Sequence, residues 1–328
     1  MMETTMTKKL GATLALLALS TAALAQNYPT RPITWIVPFA AGGPTDALAR
    51  NIADRVGRDL GQPVLIENQA GAGGTIGAGK AAKAAPDGYT FLVGHMGYMA
   101  AAPSLYKKLS YDPVKDFEGV FRFPDTPLVL LVGANSKFKT VQDLVAFASA
   151  NPGKLNFGNA GVGSTSHLVA AMFAQQARIK VTPVSYKGAG PALTDVMGGQ
   201  VDGMFDQTNT ALPQVKGGKV IAIAQTAKQH VPQFPNVPTV AETVVPNFEA
   251  STWYGLYAPK GTPKDVIARN YAAFAKAIAD TEFAKKLADQ GIQLLPDAAY
   301  KPAALNQHTA AEVAKWKTVI TAADIKLD

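Results

Sequence analysis

Two glycine-rich turns carry the residue types that could bind a small anion. In PFAAGGPTDALAR (38–50), Thr45 and Asp46 fall in the first turn of a predicted helix. In FGNAGVGSTSHLVAAMFA (157–174), three hydroxyl residues at 164–166 surround a second predicted helix start. A helix N-terminus offers unpaired backbone N–H groups and about half a positive charge. Each turn therefore predicts an anion site, although glycine turns are also common between strands and helices that bind nothing.

A third, weaker copy of this pattern is YKGAGPALTD (186–195), where Gly190 and Pro191 again precede a predicted helix. If turns from two lobes meet across a cleft, they can hold one carboxylate between them. A hydrogen bond to a charged acceptor contributes about 1.5–3 kcal/mol. Four such bonds would supply the roughly 8 kcal/mol of a micromolar complex without an arginine.

The sequence offers little support for catalysis, a metal or a nucleotide. It has no cysteine, no G-x-x-x-x-G-K-[ST] phosphate loop and no G-x-S-x-G nucleophile turn. The Gly-rich stretch GAGGTIGAG (71–79) misses the dinucleotide pattern. The four histidines are too far apart for a metal-binding motif; they are His95, His167, His230 and His308. We expect no catalytic residue, no metal and no cofactor.

His95 is the histidine best placed to contact a ligand. It ends the apolar run TFLVGH (90–95), and the next residues are MGYM. Ligands of open α/β sheets bind beyond the carboxyl ends of the strands. We therefore expect His95 to face the cleft, while a histidine with no part in binding remains the alternative.

The N-terminus predicts export. Lys8 and Lys9 precede an apolar segment (10–25) that ends in the A-x-A pattern at 23–25. This is typical of a secretory signal peptide cleaved near Ala25, with an uncleaved anchor as the alternative. An exported chain without cysteines suits the bacterial periplasm, where a large core can replace disulfides.

Composition describes a globular protein of ordinary hydrophobicity. The 328 residues are 48% hydrophobic and 17% charged, with a formal net charge of +7. The basic residues are scattered and not interleaved with aromatic residues, so we expect no nucleic-acid partner. A mild positive field would favour small anions.

Short apolar runs alternate with helical patterns along the chain, which predicts an α/β fold with parallel sheets. The predicted strands are 33–39, 63–68, 90–95, 128–133, 154–159, 180–186, 201–206, 220–225, 248–259 and 292–296. The predicted helices are 44–60, 75–85, 140–150, 165–177, 190–198, 209–216, 263–279, 281–290 and 302–322.

The C-terminal helices follow the last long strand without a new set of strands to cover. We expect them to pack on the first sheet, so that the chain crosses between two lobes near 124–127 and 248–253. The predicted organisation is a signal peptide (1–25), lobe 1 (26–124 plus 250–328) and lobe 2 (125–249). Two crossovers between two α/β lobes create a ligand cleft.

Several stretches together resemble the Bug-type solute receptors of the tripartite tricarboxylate transporter family. They are YPTRPITWIVPFAAGGPTDALAR, GYTFLVGH, PSLYKKLSYDPVKDFEGV, YKGAGPALTDVMGGQVDGMFD and TWYGLYAPKGTP. The resemblance runs from Tyr28 to the C-terminus. It implies a two-lobed, type II periplasmic-binding-protein fold that closes on a carboxylate.

The resemblance also implies which residues of the two turns hold that carboxylate. The first turn would contribute Phe39, Ala40, Gly42, Gly43, Thr45 and Asp46, and the second Gly161, Gly163, Ser164, Thr165 and Ser166. Asp206, in the stretch MFD, is placed at the rim of the cleft. Asp206 or Asp46 would orient bridging waters.

The far end of the ligand sets specificity in this family, and here the sequence departs from the common pattern. GHMGYMAAAP (94–103) is bulkier than usual, and FRFPDTP (121–127) introduces Arg122. His95, Tyr98 and Arg122 are the candidate partners of a second carboxylate, with Phe39 and Phe205 as flat walls. This predicts an aromatic dicarboxylate such as terephthalate, with a linear C4–C6 dicarboxylate as the alternative; the bulky side chains could instead merely pack within the lobe.

The functional hypothesis is a monomeric periplasmic receptor that delivers its carboxylate to membrane transporter subunits. An enzyme of the same fold would need a nucleophile and base or a metal in the cleft, and the sequence shows neither pattern. A sensory protein that passes its ligand to a membrane kinase would have the same sequence features, so that alternative stays open.

Overall fold

The computed structural model describes residues 28–322 of the chain. The predicted signal peptide and its cleavage site lie outside the described residues. The strands are β1 (Ile33–Val37), β2 (Val64–Asn68), β3 (Thr90–His95), β4 (Phe117–Arg122), β5 (Thr126–Gly133), β6 (Leu155–Asn159), β7 (Val181–Ser185), β8 (Met204–Gln207), β9 (Val220–Gln225), β10 (Ser251–Thr252) and β11 (Tyr254–Pro259).

Helices connect most of these strands. They are α1 (Pro44–Leu60), α2 (Thr75–Ala82), α3 (Ala102–Leu105), α4 (Val141–Ala150), α5 (Thr165–Gln176), α6 (Ala189–Met197), α7 (Thr208–Lys216), α8 (Val240–Thr243), α9 (Lys264–Ala279), α10 (Thr281–Ala288) and α11 (Pro302–Ala322). Two short 3₁₀ segments, Ala72–Gly74 and Asp297–Tyr300, and one π-helical turn, Gly97–Ala101, complete the described elements.

The first sheet has the strand order β2-β1-β3-β11-β4. β1 runs parallel to both β2 and β3, whereas β11 is antiparallel to β3 and β4. The carboxyl ends of β1 and β3 therefore lie at one edge of the sheet, beside the start of α1. We call the unit built on this sheet lobe 1.

The second sheet is centred on β5, which pairs antiparallel with β8, β9 and the short β10. β6 and β7 form a parallel pair, and a bridge from Phe157 to Gly203 links β6 to the segment before β8. We call the unit built on these strands lobe 2. The chain passes between the lobes at the β4–β5 and β10–β11 connections, which is the arrangement of a type II periplasmic-binding-protein fold.

The C-terminal helices pack on lobe 1, as expected. Arg269 of α9 donates to the Asp59 carboxylate of α1 at 2.7 Å. Asn306 of α11 accepts from the Gly119 backbone N–H of β4 at 2.8 Å. Lobe 1 is thus assembled from both ends of the described chain. We propose residues 125–249 as the extent of lobe 2.

The core of lobe 1 shows why these segments fold as they do. Leu48, Ile52 and Val56 recur at helical spacing on α1 and are all buried. Phe274 of α9 stacks on Phe121 of β4, with ring centroids 4.0 Å apart. Burial of a large apolar side chain contributes about 1.5–3 kcal/mol, so these contacts fix the helices on the sheet.

Three predictions about elements were wrong. β4 was not predicted as a strand, and residues 292–296 form only an isolated bridge between Gln293 and Asp125. The run 248–259 is not continuous, because Trp253 separates β10 from β11 and marks the crossover. Alternating apolar residues alone cannot reveal that a strand leaves one sheet and enters another.

Candidate functional site

A small cavity lies where the starts of α1, α5 and α6 meet between the lobes. Its volume is about 10 Å³, the size of one water-sized site. Its lining residues come from both lobes: Phe39, Gly43, Pro44, Thr45, His95, Ala160, Ser164, Thr165, Ser166, Ala189 and Gln207. We call it the inner cavity.

The first glycine turn is held in shape by a buried carboxylate. Asp46 accepts hydrogen bonds from the Gly42 backbone N–H at 3.0 Å, from Arg50 Nε at 2.9 Å and from Asn68 Nδ2 at 2.9 Å. Gly42 has φ +81°, a conformation in which glycine is favoured. Pro44 starts the helix, where its missing N–H has no cost.

These bonds also fix the charge of Asp46. Its burial opposes ionisation, but hydrogen bonds from Arg50, Gly42 and Asn68 outweigh that effect and lower its pKa. Asp46 is therefore a carboxylate anion whose hydrogen bonds stabilise the first glycine turn. Its described partners are protein groups, which gives it a structural role. The water-orienting role expected from the sequence stays a prediction.

The second turn caps α5 with hydroxyl groups. Ser164 Oγ accepts from the His167 backbone N–H at 3.3 Å and lies 3.1 Å from Ser166 Oγ. Ser166 Oγ also accepts from the Ala160 backbone N–H at 2.9 Å. This network orients the first residues of α5 towards the inner cavity, where the helix dipole favours a negative charge.

Two glycines of the second turn have structural partners as well. Gly161 has φ +113° and donates to Asn159 Oδ1 at 2.9 Å. Gly163 has φ +82° and donates to His167 Nδ1 at 3.3 Å. Both positions need a conformation that side chains rarely adopt, so they shape the turn rather than line the inner cavity.

The third turn, the weak copy in the sequence, also reaches the site. The Ala40 backbone N–H donates to the Lys187 carbonyl across the cleft at 3.2 Å. A Cβ on Gly43 would lie 3.8 Å from the backbone nitrogens of Ala189 and Gly190, at the start of α6. Three helix N-termini therefore converge, one more than the two-turn site predicted from the sequence.

His95 joins the lobes directly. Its Nδ1 accepts from the Gly97 backbone N–H at 2.9 Å, and its Nε2 lies 2.7 Å from Thr165 Oγ1. Burial lowers the pKa of His95 to about 3, so the ring is neutral at physiological pH. Because Nδ1 accepts, Nε2 carries the proton and donates to Thr165, which leaves the Thr165 proton available to another acceptor.

The two lobes are in close contact around the inner cavity. A Cβ on Gly73 would lie 1.9 Å from the Val162 carbonyl, and a Cβ on Gly97 would lie 2.4 Å from the Gly163 carbonyl. Asn209 Nδ2 also donates to the Pro44 carbonyl at 3.1 Å. The site is therefore complete only when the lobes are together.

Phe39 and Tyr98 belong to an aromatic group behind His95. The Phe39 ring meets the His95 ring edge-on at 5.2 Å, and Tyr98 stacks on His95 at 5.4 Å. Tyr98 is fully buried and donates its hydroxyl to the Val93 carbonyl. Phe39 lines the cavity, whereas Tyr98 supports His95 from the core of lobe 1.

The structure does not bring Arg122 to the inner cavity. Its guanidinium donates to both carboxylate oxygens of Asp125, at 2.8 and 2.9 Å, and both side chains are largely buried. Burial raises the pKa of Asp125 even though Arg122 opposes that shift. The expected grouping of His95, Tyr98 and Arg122 around one carboxylate is thus not supported, because Arg122 already has an anionic partner.

Phe205 and Asp206 follow each other on β8 but lie in different surroundings. Phe205 is fully buried among the rings of Phe157 and Phe173, so it is a core residue and not a wall of the cavity. Asp206 is also fully buried and accepts from Thr210 Oγ1 at 2.7 Å. It does not lie at an open rim; burial raises its pKa to about 7, so a large fraction is neutral at neutral pH.

A second, larger cavity continues from the inner one past Phe39 and Ala160, which line both. Its volume is about 700 Å³. It is lined by Phe39, Gly71, Ala72, Gly73, Gly74, Tyr106, Ala160, Gly161, Val162, Ser185, Tyr186, Lys187 and Pro191. We call it the outer cavity.

Seven of the sixteen expected site residues line the inner cavity: Phe39, Gly43, Thr45, His95, Ser164, Thr165 and Ser166. Ala40, Gly42, Asp46, Gly161 and Gly163 shape the turns around it, whereas Tyr98, Arg122, Phe205 and Asp206 lie behind or away from it. Sequence reasoning missed four residues of the inner cavity, Pro44, Ala160, Ala189 and Gln207. It also missed the residues of the outer cavity other than Phe39 and Gly161. The stretch YKGAGPALTD was the one signal that pointed to Lys187.

Residues 28–322 contain neither a metal-binding group of side chains nor a helix able to cross a membrane. No group of three or more histidine, aspartate or glutamate side chains is arranged to hold a metal ion. No helix in this range combines the length and apolar character needed to cross a membrane.

Comparison with known proteins places these features in a family. The family described as "Tripartite tricarboxylate transporter family receptor" matches residues 48–325. Among solved structures, the periplasmic binding protein BugD is 37% identical with a TM-score of 0.87, covering 91% of this chain and 99% of its own.

Two other similar solved structures contain a dicarboxylate. MatC from Rhodopseudomonas palustris, with bound malate, is 38% identical with a TM-score of 0.85 and covers 89% of this chain and 100% of its own. A protein of R. palustris with adipate is 33% identical with a TM-score of 0.86 and covers 91% and 99%.

Proposed function

The chain belongs to the tripartite tricarboxylate transporter receptor family, and from this premise we propose that it is a periplasmic receptor that captures a dicarboxylate for a membrane transporter. One carboxylate would lie in the inner cavity between the starts of α1 and α5, with the start of α6 beside them. The other end of the ligand would extend away from this clamp.

The convergence of helix N-termini from both lobes is the observation that carries this proposal. Thr45 lies in the first turn of α1, and Thr165 lies in the first turn of α5. Both line a cavity large enough for one small polar group. Backbone N–H groups and helix dipoles from two directions suit a carboxylate, which has two oxygens to share between the lobes.

The electrostatics of the inner cavity fit a ligand held without a cationic side chain. His95 is neutral, so it contributes a hydrogen-bond network through Thr165 and no formal charge. Asp46 is ionised but is surrounded by its own donors, Arg50 among them. Backbone dipoles and hydroxyl donors would therefore supply most of the binding free energy, at about 1.5–3 kcal/mol for each bond to the charged ligand.

Two kinds of ligand body are consistent with the outer cavity. Phe39, Tyr106 and Tyr186 give it aromatic walls, which favours a flat spacer as in terephthalate. The relatives solved with malate and adipate favour a linear C4–C6 dicarboxylate. Phe205 is not one of these aromatic walls, since its ring lies in the core of lobe 2.

We further propose that the protein acts by binding alone, as a monomer, without a metal or cofactor and without nucleic acid. Family membership supports a membrane transporter as the partner and the periplasm as the location. A signal peptide cleaved near Ala25 would direct it there. A sensory role with a membrane kinase remains the alternative; ligand-dependent binding to purified transporter subunits would distinguish the two roles.

A thermal-shift screen of mono-, di- and tricarboxylates tests the proposed function. A ligand present at a hundred times its Kd stabilises the folded state by about 2.7 kcal/mol. We expect at least one dicarboxylate to raise the melting temperature clearly. If no carboxylate raises it, the proposal fails, and turnover of a bound ligand over hours would favour an enzyme instead.

A further inference from the structure

Lys187 gives the outer cavity a chemical identity. We propose that the outer cavity binds the distal group of the ligand and that the Lys187 ammonium pairs with a second carboxylate there. This inference rests on the proposed function, because it assumes that the first carboxylate occupies the inner cavity. It replaces the expected distal site at His95, Tyr98 and Arg122.

The two cavities differ greatly in volume. The inner cavity, at about 10 Å³, has space for one small polar group of about the size of a water molecule but not for a ligand body. The outer cavity, at about 700 Å³, shares Phe39 and Ala160 with it and is lined by both lobes. A ligand that leaves the inner cavity past Phe39 therefore enters the outer cavity.

The contacts around His95 fill the opposite direction, towards the core of lobe 1. Tyr98 stacks on His95 and is fully buried, and the buried ring of Tyr254 also lies near His95, with ring centroids 5.4 Å apart. Arg122 is held by Asp125. A distal carboxylate directed this way would enter the packed core of lobe 1 and find a neutral imidazole.

Lys187 brings a positive charge to the outer cavity. Lys187 lines it, and within residues 28–322 its ammonium group forms no ion pair. The two tyrosine hydroxyl groups at the outer cavity already have partners within the protein. Tyr186 donates to the Asp195 carboxylate at 2.6 Å, and Tyr106 donates to the Ala72 carbonyl at 2.9 Å. Lys187 is thus the cation available to an anionic ligand group.

The backbone position of Lys187 depends on contact between the lobes. Its carbonyl accepts from Ala40 of the first glycine turn at 3.2 Å, and a Cβ on the next residue, Gly188, would lie 3.1 Å from that same nitrogen. Lys187 therefore joins the site when the lobes close. A second carboxylate that pairs with Lys187 would strengthen ligand binding and would also stabilise the closed form of the two lobes. Selection of dicarboxylates is thereby linked to closure.

The test compares matched ligands on matched lysine variants by isothermal titration. The ligand pairs are adipate and hexanoate, succinate and butyrate, and terephthalate and 4-methylbenzoate, each pair differing by one carboxylate. The variants are Lys187→Met and, as control, Lys180→Met; Lys180 is also exposed on lobe 2, forms no ion pair within residues 28–322 and does not line the outer cavity.

We expect Lys187→Met to weaken the dicarboxylate of the best-binding pair by about tenfold, which corresponds to about 1.4 kcal/mol. The matching monocarboxylate should change by less than about twofold, and Lys180→Met should change neither. The inference is overturned if Lys187→Met affects both ligands equally or affects neither. That result differs from failure of the proposed function, in which the unmodified protein binds no carboxylate of any pair.

Discussion

His95 Nε2 donates to Thr165 Oγ1 across the cleft at 2.7 Å, which links the end of a lobe 1 strand to the first residue of a lobe 2 helix. The direction of this bond follows from the other ring nitrogen, which accepts from the Gly97 backbone N–H. A ligand carboxylate in the inner cavity can then accept the Thr165 proton. The same pair thus connects closure of the lobes to ligand binding.

Removal of the Thr165 hydroxyl should weaken binding without a change in ligand preference. Thr165→Val keeps the shape of the side chain but loses the bond from His95 and the donor to the ligand. We expect carboxylate affinity to fall by about tenfold or more, since a bond to a charged acceptor contributes about 1.5–3 kcal/mol. Isothermal titration measures the change, and Thr165→Ser should restore most of the affinity.

Thr318→Val is the control, because Thr318 lies on the exposed face of α11. It should leave the affinity unchanged. If Thr165→Val binds as tightly as the unmodified protein, the hydroxyl has no part in the clamp.

A methyl group at Gly73 should block closure of the lobes. Its Cβ would lie 1.9 Å from the Val162 carbonyl of the opposite lobe. Gly73→Ala should reduce carboxylate affinity by more than about tenfold, because a contact this short cannot form without a backbone shift. Small-angle scattering with excess ligand should show a larger radius of gyration than the unmodified protein under the same conditions.

Gly61→Ala provides the matched control for this variant. Gly61 has φ +72°, close to the +61° of Gly73, but a Cβ there would meet no atom within 4 Å. Both substitutions carry a similar backbone strain of about 1–2 kcal/mol, and only Gly73→Ala adds the contact between lobes. Equal affinities for the two variants would show that Gly73 does not limit closure.

Asp206 should make the protein less stable as the pH rises. Burial raises its pKa from 3.8 to about 7, so between these values the folded state keeps a proton that the unfolded state releases. The contribution of Asp206 to the free energy of unfolding is fully present below about pH 4. It decreases as the pH rises and is lost once the pH exceeds about 7. Each pKa unit corresponds to about 1.36 kcal/mol, which sets an upper limit of about 4 kcal/mol for the decrease.

Asp206→Asn tests this effect by urea unfolding at pH 4.5, 6 and 8. The amide can still accept from Thr210 and cannot ionise, so the variant should lose this part of the pH dependence and be more stable than the unmodified protein at pH 8. Asp54→Asn is the control, because the Asp54 side chain is 58% exposed. A steep decrease that persists in Asp206→Asn would assign the pH dependence to other groups.

Arg122 should be important for stability and unimportant for ligand preference. Arg122→Gln leaves the buried Asp125 carboxylate without its cation, so we expect the free energy of unfolding to fall by about 3 kcal/mol. The double variant with Asp125→Asn should recover part of this loss. The ratio of dicarboxylate to monocarboxylate affinities, measured by titration, should stay the same; a decrease in that ratio would return Arg122 to the ligand site.

The glycine turns were the most informative part of the sequence. Because a helix start has strong local requirements, Pro44 and the cap residue Ser164 fixed the positions of α1 and α5, and the turns indicated the clamp. The distal site could not be predicted in the same way. Whether His95 faces a ligand or Thr165, and whether Arg122 already has an anionic partner, depends on contacts between residues far apart in the chain.

The outer cavity shows the same limit. Its residues come from several separate segments of both lobes, and the backbone of Lys187, which lines it, contacts Ala40 of the other lobe. The stretch YKGAGPALTD marks a glycine turn at Lys187, but it does not show that this lysine, unlike other exposed lysines of lobe 2, lines a cavity. The sequence thus predicted which chemical group is held, and the structure was needed to infer where the rest of the ligand lies.

A crystal structure with the tightest-binding dicarboxylate tests the central claim most directly. We predict one carboxylate in the inner cavity, with oxygens about 2.7–2.9 Å from donors at the starts of both α1 and α5, and the second carboxylate in the outer cavity beside Lys187. A carboxylate held by one lobe alone, or bound beside Arg122 with the inner cavity unused, would contradict the account.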